Sequence, residues 1–494
     1  MRLSPVDIAI VGAYLAGTAL FGLWFLWRTR SAERFMAAGR AIPGWAVGLT
    51  MFGSYVSSIS FLALPGKAFD SNWSFFVFSL SLPPAAWIAA RFFVPFYRAS
   101  GEVSAYHHLE RRFGPWARTY AVVCYLLTML ARTGSVMYLL TLPLAGLLGW
   151  DIPTVILLLG IVMTAYPLLG GTEAVVWAGV GQTILLIAGA LVCFVWLMLG
   201  VPGGPGQIVT VAAREGKLSL GSLSASLAMP TVWVVFLYGI AENLRNFGIT
   251  QNYVQLYITA KSDRAAARSV WTAALLYLPI SAVFFFMGTA LWAFYAARPG
   301  LLPAGVGGDK VLPHFINTQL PVGVAGLVIA AICAAATDSN FHSMATLVHC
   351  DIYRRYVRPA ASEREAMWVL RLSTLAFGIA STAIALAMVR VKTVIDAWWT
   401  LAGIFSGGML GLFLLGIAFR RVGNRAALLG VGAGVLVISW TTLSLPEAES
   451  ILGWRWPEAT RSPLNGLLIG VAGTLCILVA GLLLGLVARP RQAA

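Results

Sequence analysis

The sequence predicts an all-α polytopic membrane protein with about thirteen transmembrane helices. Three observations predict it. First, 59% of the 494 residues are hydrophobic and 11% are charged, with a mean hydropathy of +0.81; a soluble domain carries about 25% charge. Second, apolar stretches recur from end to end, each long enough to cross a hydrocarbon core of about 30 Å. No water reaches the backbone there, so only helices or closed barrels satisfy it. The runs are continuous and not alternating, which selects helices. Third, the arginines cluster on every second loop, as cytoplasmic loops require.

Taken in order, the spans fall at 5–27, 43–69, 72–97, 117–149, 152–170, 173–200, 229–258, 270–297, 321–352, 366–391, 394–419, 425–445 and 463–488. Arg28, Arg30, Arg34 and Arg40 follow the first span, and Arg98, Arg111, Arg112 and Arg118 follow the third. Lys261, Arg264 and Arg268 follow the seventh, and Arg354, Arg355, Arg358 and Arg364 the ninth. Arg420, Arg421 and Arg425 follow the eleventh, and Arg489 and Arg491 the last. This alternation explains the net charge of +15 as topology in a lipid bilayer, and no nucleic-acid partner is expected. It places the N-terminus outside and the C-terminus inside a bacterial cytoplasmic (inner) membrane. The first apolar run is too long for a signal-peptide core, and no basic region of any size precedes it. Cys124, Cys193, Cys333, Cys350 and Cys476 lie in or at the ends of spans without a Cys-x-x-Cys pair, so they read as small buried side chains.

Two spans look interrupted. The second crowds Gly48, Gly53, Ser54, Ser57, Ser58 and Ser60 into its middle, with Pro65-Gly66 beyond. The seventh holds Gly239, Glu242, Asn243, Arg245, Asn246, Gly248, Thr250 and Gln251 at membrane depth. Unwound backbone is tolerated there only where it lines a cavity. The two spans lie five apart, which matches a five-plus-five inverted-repeat core with discontinuous first and sixth core helices. The expected division is 1–42, an extra helix and cytoplasmic loop; 43–200, repeat one; 201–228, an external loop; 229–419, repeat two; and 420–494, two C-terminal helices and a tail.

The ninth span reads IAAICAAATDSNFHSMATLVHCDIYRR, in which an alanine-rich run carries one acid, Asp338, then hydroxyls at Ser339, Ser343 and Thr346, and ends in Asp-Ile-Tyr followed by arginines. An ionisable group inside a membrane helix is costly and marks a functional site. Arg132 stands equally deep in the fourth span. Its guanidinium cannot be neutralised, so it faces a cavity, an anion, or an internal acid such as Glu242 or Glu173.

Five stretches, in order, resemble the sodium/solute symporter family over nearly the full length. They are RFMAAGRAIPGWAVGLTMFGSYVSSISFLALPGKAF, YPLLGGTEAVVWAGVGQ, ITQNYVQLYITAKSDRAAARS, DSNFHSMATLVHCDIYRR and SGGMLGLFLLG. The resemblance implies a ten-helix inverted-repeat core, one helix before it and two after. It also implies a sodium site built from the carbonyls of Gly53 and Val56 and from two hydroxyls that fall, counting back from Asp351, on Ala336 and Ala335. Both hydroxyls are missing. Where relatives carry Trp-Thr-Asp, this chain has Trp177-Ala178-Gly179. Thr250 and Leu256 stand where relatives often place an acid and an arginine. The expected ion site is therefore degenerate, comprising Gly53, Val56, Ala335, Ala336, Asp338 and Ser339; a site remade with Thr337, Asp338 and Ser339 is the alternative.

The surroundings of Arg132 resemble the sialic-acid-transporting branch, in which the matching arginine binds the substrate carboxylate. Ser57 and Ser60 fall on that branch's substrate hydroxyl positions, and Tyr55 replaces a smaller polar residue. Asn243 and Phe247 on the second broken helix complete the expected substrate set. Arg245 either lines the site or compensates Glu242. The resemblance thus implies a secondary active transporter that moves a small organic solute, an anionic carboxylate or acidic sugar, by alternating access. The alternatives are a sodium-independent uniporter, a channel-like or proton-coupled transporter on the same fold, or a transporter-fold sensor. The ARPRQAA tail adds no soluble domain, which argues against a sensor kinase. No enzyme is expected, because no metal-ligand cluster or nucleophile–base pair appears. No cofactor is expected beyond sodium or a proton as coupling ion. His342 lies near Asp338 in sequence and would suit a proton path.

Overall fold

The computed structural model describes residues 4–26, 31–336, 340–389, 394–445 and 456–487. Among them the regular structure is helical, with one isolated parallel bridge between Ile42 and Ala260. The principal helices are α1 (Pro5–Leu26), α2 (Gly44–Tyr55), α3 (Ser58–Asp70), α4 (Phe76–Ser100), α5 (Pro115–Leu148), α6 (Ile152–Gly200), α7 (Gly204–Arg214), α8 (Val232–Ile249), α9 (Gln251–Thr259), α10 (Asp263–Ala297), α11 (Val324–Ala336), α12 (Asn340–Leu347), α13 (Glu363–Met388), α14 (Val394–Ala418), α15 (Asn424–Leu443) and α16 (Ile469–Val487).

Seven helices among the described residues are long and apolar enough to cross a membrane, and the bent pair α2–α3 makes an eighth. Four shorter apolar helices, Pro5–Thr18, Ile152–Ala165, Val324–Ala334 and Ala402–Ala418, stand beside them. The count of thirteen remains an expectation. The fifth and sixth spans need a correction: they are not two hydrogen-bonded helices but one run of 49 residues. At 1.5 Å per residue that run would be about 74 Å long, far beyond one bilayer crossing. Pro167 lies inside the run, and the Thr172 hydroxyl donates to the Phe35 carbonyl at 2.6 Å.

The first break is where the serine-rich stretch predicts it. Val56 (φ −87°, ψ 84°) and Ser57 (φ −87°, ψ 175°) leave helical space, and α2 and α3 bend by 47°. The seventh span breaks later than its glycines imply. α8 stays helical through Gly239 and Gly248 and yields only at Thr250 (φ −80°, ψ 119°). Its polar side chains do not unwind it because they are satisfied by side chains: Arg245 bonds Glu242 and Asn246, and Asn243 bonds Ser81 and Tyr55. At the break the Thr250 amide and hydroxyl both return to the Arg245 carbonyl, at 3.1 and 3.0 Å, filling an acceptor that the helix end would otherwise orphan.

Packing brings both breaks to the centre. α10 lies against α2 and α3, while α6 lies against α2 and α11. The C-terminal end of α3 is pinned by Lys217, whose ammonium donates to the Phe69 carbonyl at 2.6 Å and sits 3.8 Å over the Trp292 ring. That carbonyl is in the last turn of α3, where a cation suits the helix dipole. Asp7 of α1 does the converse for α11. Its buried carboxylate accepts from the Gly323 and Gly326 amides at 2.8 and 2.7 Å.

Candidate functional site: a solute cavity beside the broken helices

A cavity of about 120 Å³ lies between α3, α4, α5, α8, α9 and α10. Four of the sequence-derived candidates line it: Tyr55, Ser57, Ser60 and Arg132. Arg132 is delivered by α5 and donates from Nη2 to the Ser54 carbonyl at 2.5 Å. Ser54 belongs to the last turn of α2, whose carbonyls lose their helical partners at the break. The guanidinium thus braces the break while bordering the cavity.

Tyr55 forms one wall. Its ring meets Phe247 at 5.2 Å, Tyr253 at 5.1 Å and Tyr277 at 5.7 Å. Its hydroxyl donates to Asn243 Oδ1 at 3.3 Å, and Asn243 Nδ2 donates to Ser81 Oγ at 2.9 Å. Asn243 and Phe247, both fully buried, therefore stand behind Tyr55 and are not among the cavity lining. Ser57 is the N-cap of α3 and Ser60 lies in its first turn; Ser60 donates to the Tyr55 carbonyl at 3.4 Å.

A second polar pole stands on α8. Arg245 grips Glu242 bidentately, Nε to Oε2 at 2.9 Å and Nη2 to Oε1, and Nη2 also reaches Asn246 Oδ1 at 3.1 Å. Glu242 is thus the partner of Arg245. All three residues line the cavity. The remaining wall is Leu64, Phe75, Phe78, Ser79, Tyr238, Tyr253, Tyr277 and Phe285. Sequence reasoning missed these. Aromatic residues in a span look alike whether they face lipid, core or cavity, and only the packing of α4 and α10 on the breaks separates them.

Phe75 and Phe78 lie at the start of α4, at the end away from Arg98 and the arginine-bearing loop that follows it. The opposite side is tied shut. Tyr97 donates to the Gly248 carbonyl at 2.7 Å, and Tyr257 to that of Phe247. Arg98 donates to the Tyr257 and Ala260 carbonyls at 2.9 and 2.8 Å and pairs with Asp263. Gln251 bridges the Val103 carbonyl (2.9 Å) and the Ala105 amide (2.8 Å). A charged chain, Arg355–Glu110–Arg118–Asp351, closes the same face.

The expected ion site lies where α2 crosses α6. A methyl group on Gly53 would come within 2.5 Å of Thr183 Oγ1 and 3.9 Å of the Gly179 carbonyl. At Gly179 it would meet Thr50 Cγ2 at 2.7 Å. The place where relatives carry an acid is thus filled by Thr50, and the surrounding packing matches the glycine. Thr50 donates to the Ala46 and Val176 carbonyls, both at 2.9 Å, and Thr183 donates to the Leu49 carbonyl at 2.9 Å. The Val56 carbonyl sits at the break itself. The side chains of Ala335 and Ala336, and all of Thr337, Asp338 and Ser339, lie outside the described residues.

The sodium:solute symporter family model matches residues 35–434. The chain belongs to that family. This symporter-family protein is 32% identical over 485 residues to the sodium/sialic acid symporter SiaT of Proteus mirabilis, covering 96% of this chain and 94% of the relative. To the sodium/sialic acid symporter NanT of Aliivibrio fischeri it is 32% identical, covering 95% and 91%. The solved structure of a Na+-coupled sialic acid symporter, in a substrate-bound outward-open state, superimposes with a TM-score of 0.88 at 31% identity, covering 99% of both chains. The nucleobase-cation-symport-1 transporter Mhp1, at 15% identity and a TM-score of 0.56, shares the fold. The protein is a multi-pass membrane transporter with an inverted-repeat core, a secondary transporter of small solutes and not an enzyme.

Proposed function

We propose that this symporter-family protein carries an acidic sugar of the sialic acid class, with Arg132 receiving its carboxylate and Ser57 and Ser60 its hydroxyls. The observation that carries the reading is that this arginine and these serines border one cavity at the α2–α3 break. A guanidinium fork suits a carboxylate bidentately. Two relatives named as sialic acid symporters match nearly the whole chain, which supports the same class. Tyr55 narrows the cavity, with Asn243 and Phe247 fixing its ring.

Sodium is the coupling ion the family implies. We infer that its binding here is weak. A hard cation needs an oxygen shell to replace its hydration. Ala335, Ala336 and Gly179 offer no side-chain oxygen. The same observations favour a second reading, coupling to protons through Asp338 or to no ion.

Proteoliposomes separate the readings. Labelled sialic acid is expected to enter, with a shallow dependence on an imposed sodium gradient. Absence of uptake under any gradient would remove the substrate class. Steep sodium dependence at fixed pH, intact in Asp338→Asn, would remove the proton reading. The double substitution Ala335→Ser, Ala336→Ser is expected to raise sodium affinity.

A further inference from the structure

We propose that Glu242, held by Arg245, is a specificity element that admits hydrogen-bond donors on the solute and rejects a second carboxylate. The inference rests on the reading of Arg132 as the carboxylate anchor and concerns the other polar pole of the same cavity. Glu242 is the more exposed partner: its side chain is 16% accessible against 5% for Arg245. What a solute meets on this wall is therefore an acid. An ionised carboxylate only accepts, with roughly four lone-pair positions. Arg245 engages one position on each oxygen and leaves one on each available.

Arg245 cannot easily turn from this task. Three of its N–H groups are committed, two to Glu242 and one to Asn246. Behind the pair lies a crevice of about 30 Å³ between α8, α14 and α16, bordered by Gly403, Gly407 and Gly470. A methyl on Gly407 would meet the Gly470 Cα at 2.9 Å, so this wall is packed backbone against backbone. The pair is thus a partition set against a close-packed glycine seam. A solute hydroxyl or amide N–H reaching it finds an acceptor. A carboxylate in the same place finds acceptor against acceptor and like charge against like charge, and discrimination follows from that repulsion.

Gluconate and glucarate test this, because they share a six-carbon hydroxylated chain and differ in one or two carboxylates. Each would compete against labelled sialic acid uptake in proteoliposomes, and each would be titrated alone by thermal stabilisation of the purified protein. Gluconate is expected to bind about tenfold more tightly than glucarate, the scale of one charged hydrogen bond lost. In Glu242→Gln the ratio should collapse or invert, because Arg245 is released to the second carboxylate. The double variant Glu242→Gln, Arg245→Gln should lose discrimination without inversion, and it guards against misfolding caused by an unpaired guanidinium. Equal binding in the wild type, no binding of either acid, or an unchanged ratio in the folded variants would overturn the inference. If sialic acid itself is not transported while gluconate still outbinds glucarate, the substrate class fails and the role of Glu242 stands.

Discussion

At the scale of single residues, Arg132 and His108 show how burial turns one side chain into a function or a liability. Arg132 serves two masters, the Ser54 carbonyl at the break and the cavity. Arg132→Lys keeps the charge but loses the fork, so carboxylate affinity should fall by about 1.5–3 kcal/mol in a binding titration. Binding unchanged in Arg132→Ala would remove the role. His108 belongs to a loop between spans. Its Nδ1 faces the Ala105 carbonyl at 3.2 Å, its ring packs on Phe413 at 4.2 Å, and Nε2 is shut away from water. Burial first, then the neighbouring His107 and Arg112 charges, lower its pKa from 6.5 to about 4, against the Ala105 bond that raises it. The folded protein thus holds this histidine neutral where the unfolded chain binds a proton. Stability is full above pH 6.5 and lost as pH falls toward 4. About 2 kcal/mol should go between pH 7 and 5. Thermal unfolding in detergent checks this: His108→Asn should flatten the acid limb. The polar half of the cavity was legible at this scale, because charged and hydroxyl residues are conspicuous in apolar spans. The aromatic half was not.

At the scale of elements, the two breaks differ in how far sequence foretold them. Serines and glycines at 53–60 compete with or loosen a helix, and the bend sits among them at Val56–Ser57. In α8, glycine and polar content foretold a wide unwinding that did not occur. The Glu242–Arg245 and Asn243–Ser81 bonds satisfy the polar groups and leave the helix intact. The joined α6 was equally hidden, since spans at 152–170 and 173–200 were expected where one hydrogen-bonded helix runs from Ile152 to Gly200. Contact between α10 and α3 depends on Gly288, where an added methyl would collide with the Pro65 carbonyl and crowd Ala68 Cβ at 2.7 Å. The obstacle is backbone and cannot rotate away. Gly288→Ala should cost about 1–3 kcal/mol, read as a lower Tm, and should impair transport more than folding, because α3 carries Ser57 and Ser60.

At the scale of the whole molecule, the fold holds a cavity bordered by the first half of α3 and the start of α4, and a bonded seal on the arginine-rich side. Leu64 lines the cavity, whereas Arg264 is exposed at the foot of α10. A membrane-impermeant thiol reagent added outside intact cells should label Leu64→Cys and should not label Arg264→Cys. Solute should protect Leu64→Cys. Labelling of Arg264→Cys from outside would overturn both the proposed orientation and the sidedness of the seal.

Sequence alone determined the class, the family, the alternation of loops and the polar side chains worth watching. Each follows from a cost that acts locally: charge in hydrocarbon is expensive, and unsatisfied backbone in hydrocarbon is more so. Tertiary structure alone decided that Glu242 belongs to Arg245, that Asn243 and Phe247 stand behind Tyr55, that Gly179 is filled by Thr50, and where α8 gives way. These depend on which helix faces meet. Apolar spans are interchangeable to the bilayer, so their sequence patterns leave those faces undecided until side chains from distant spans pack together.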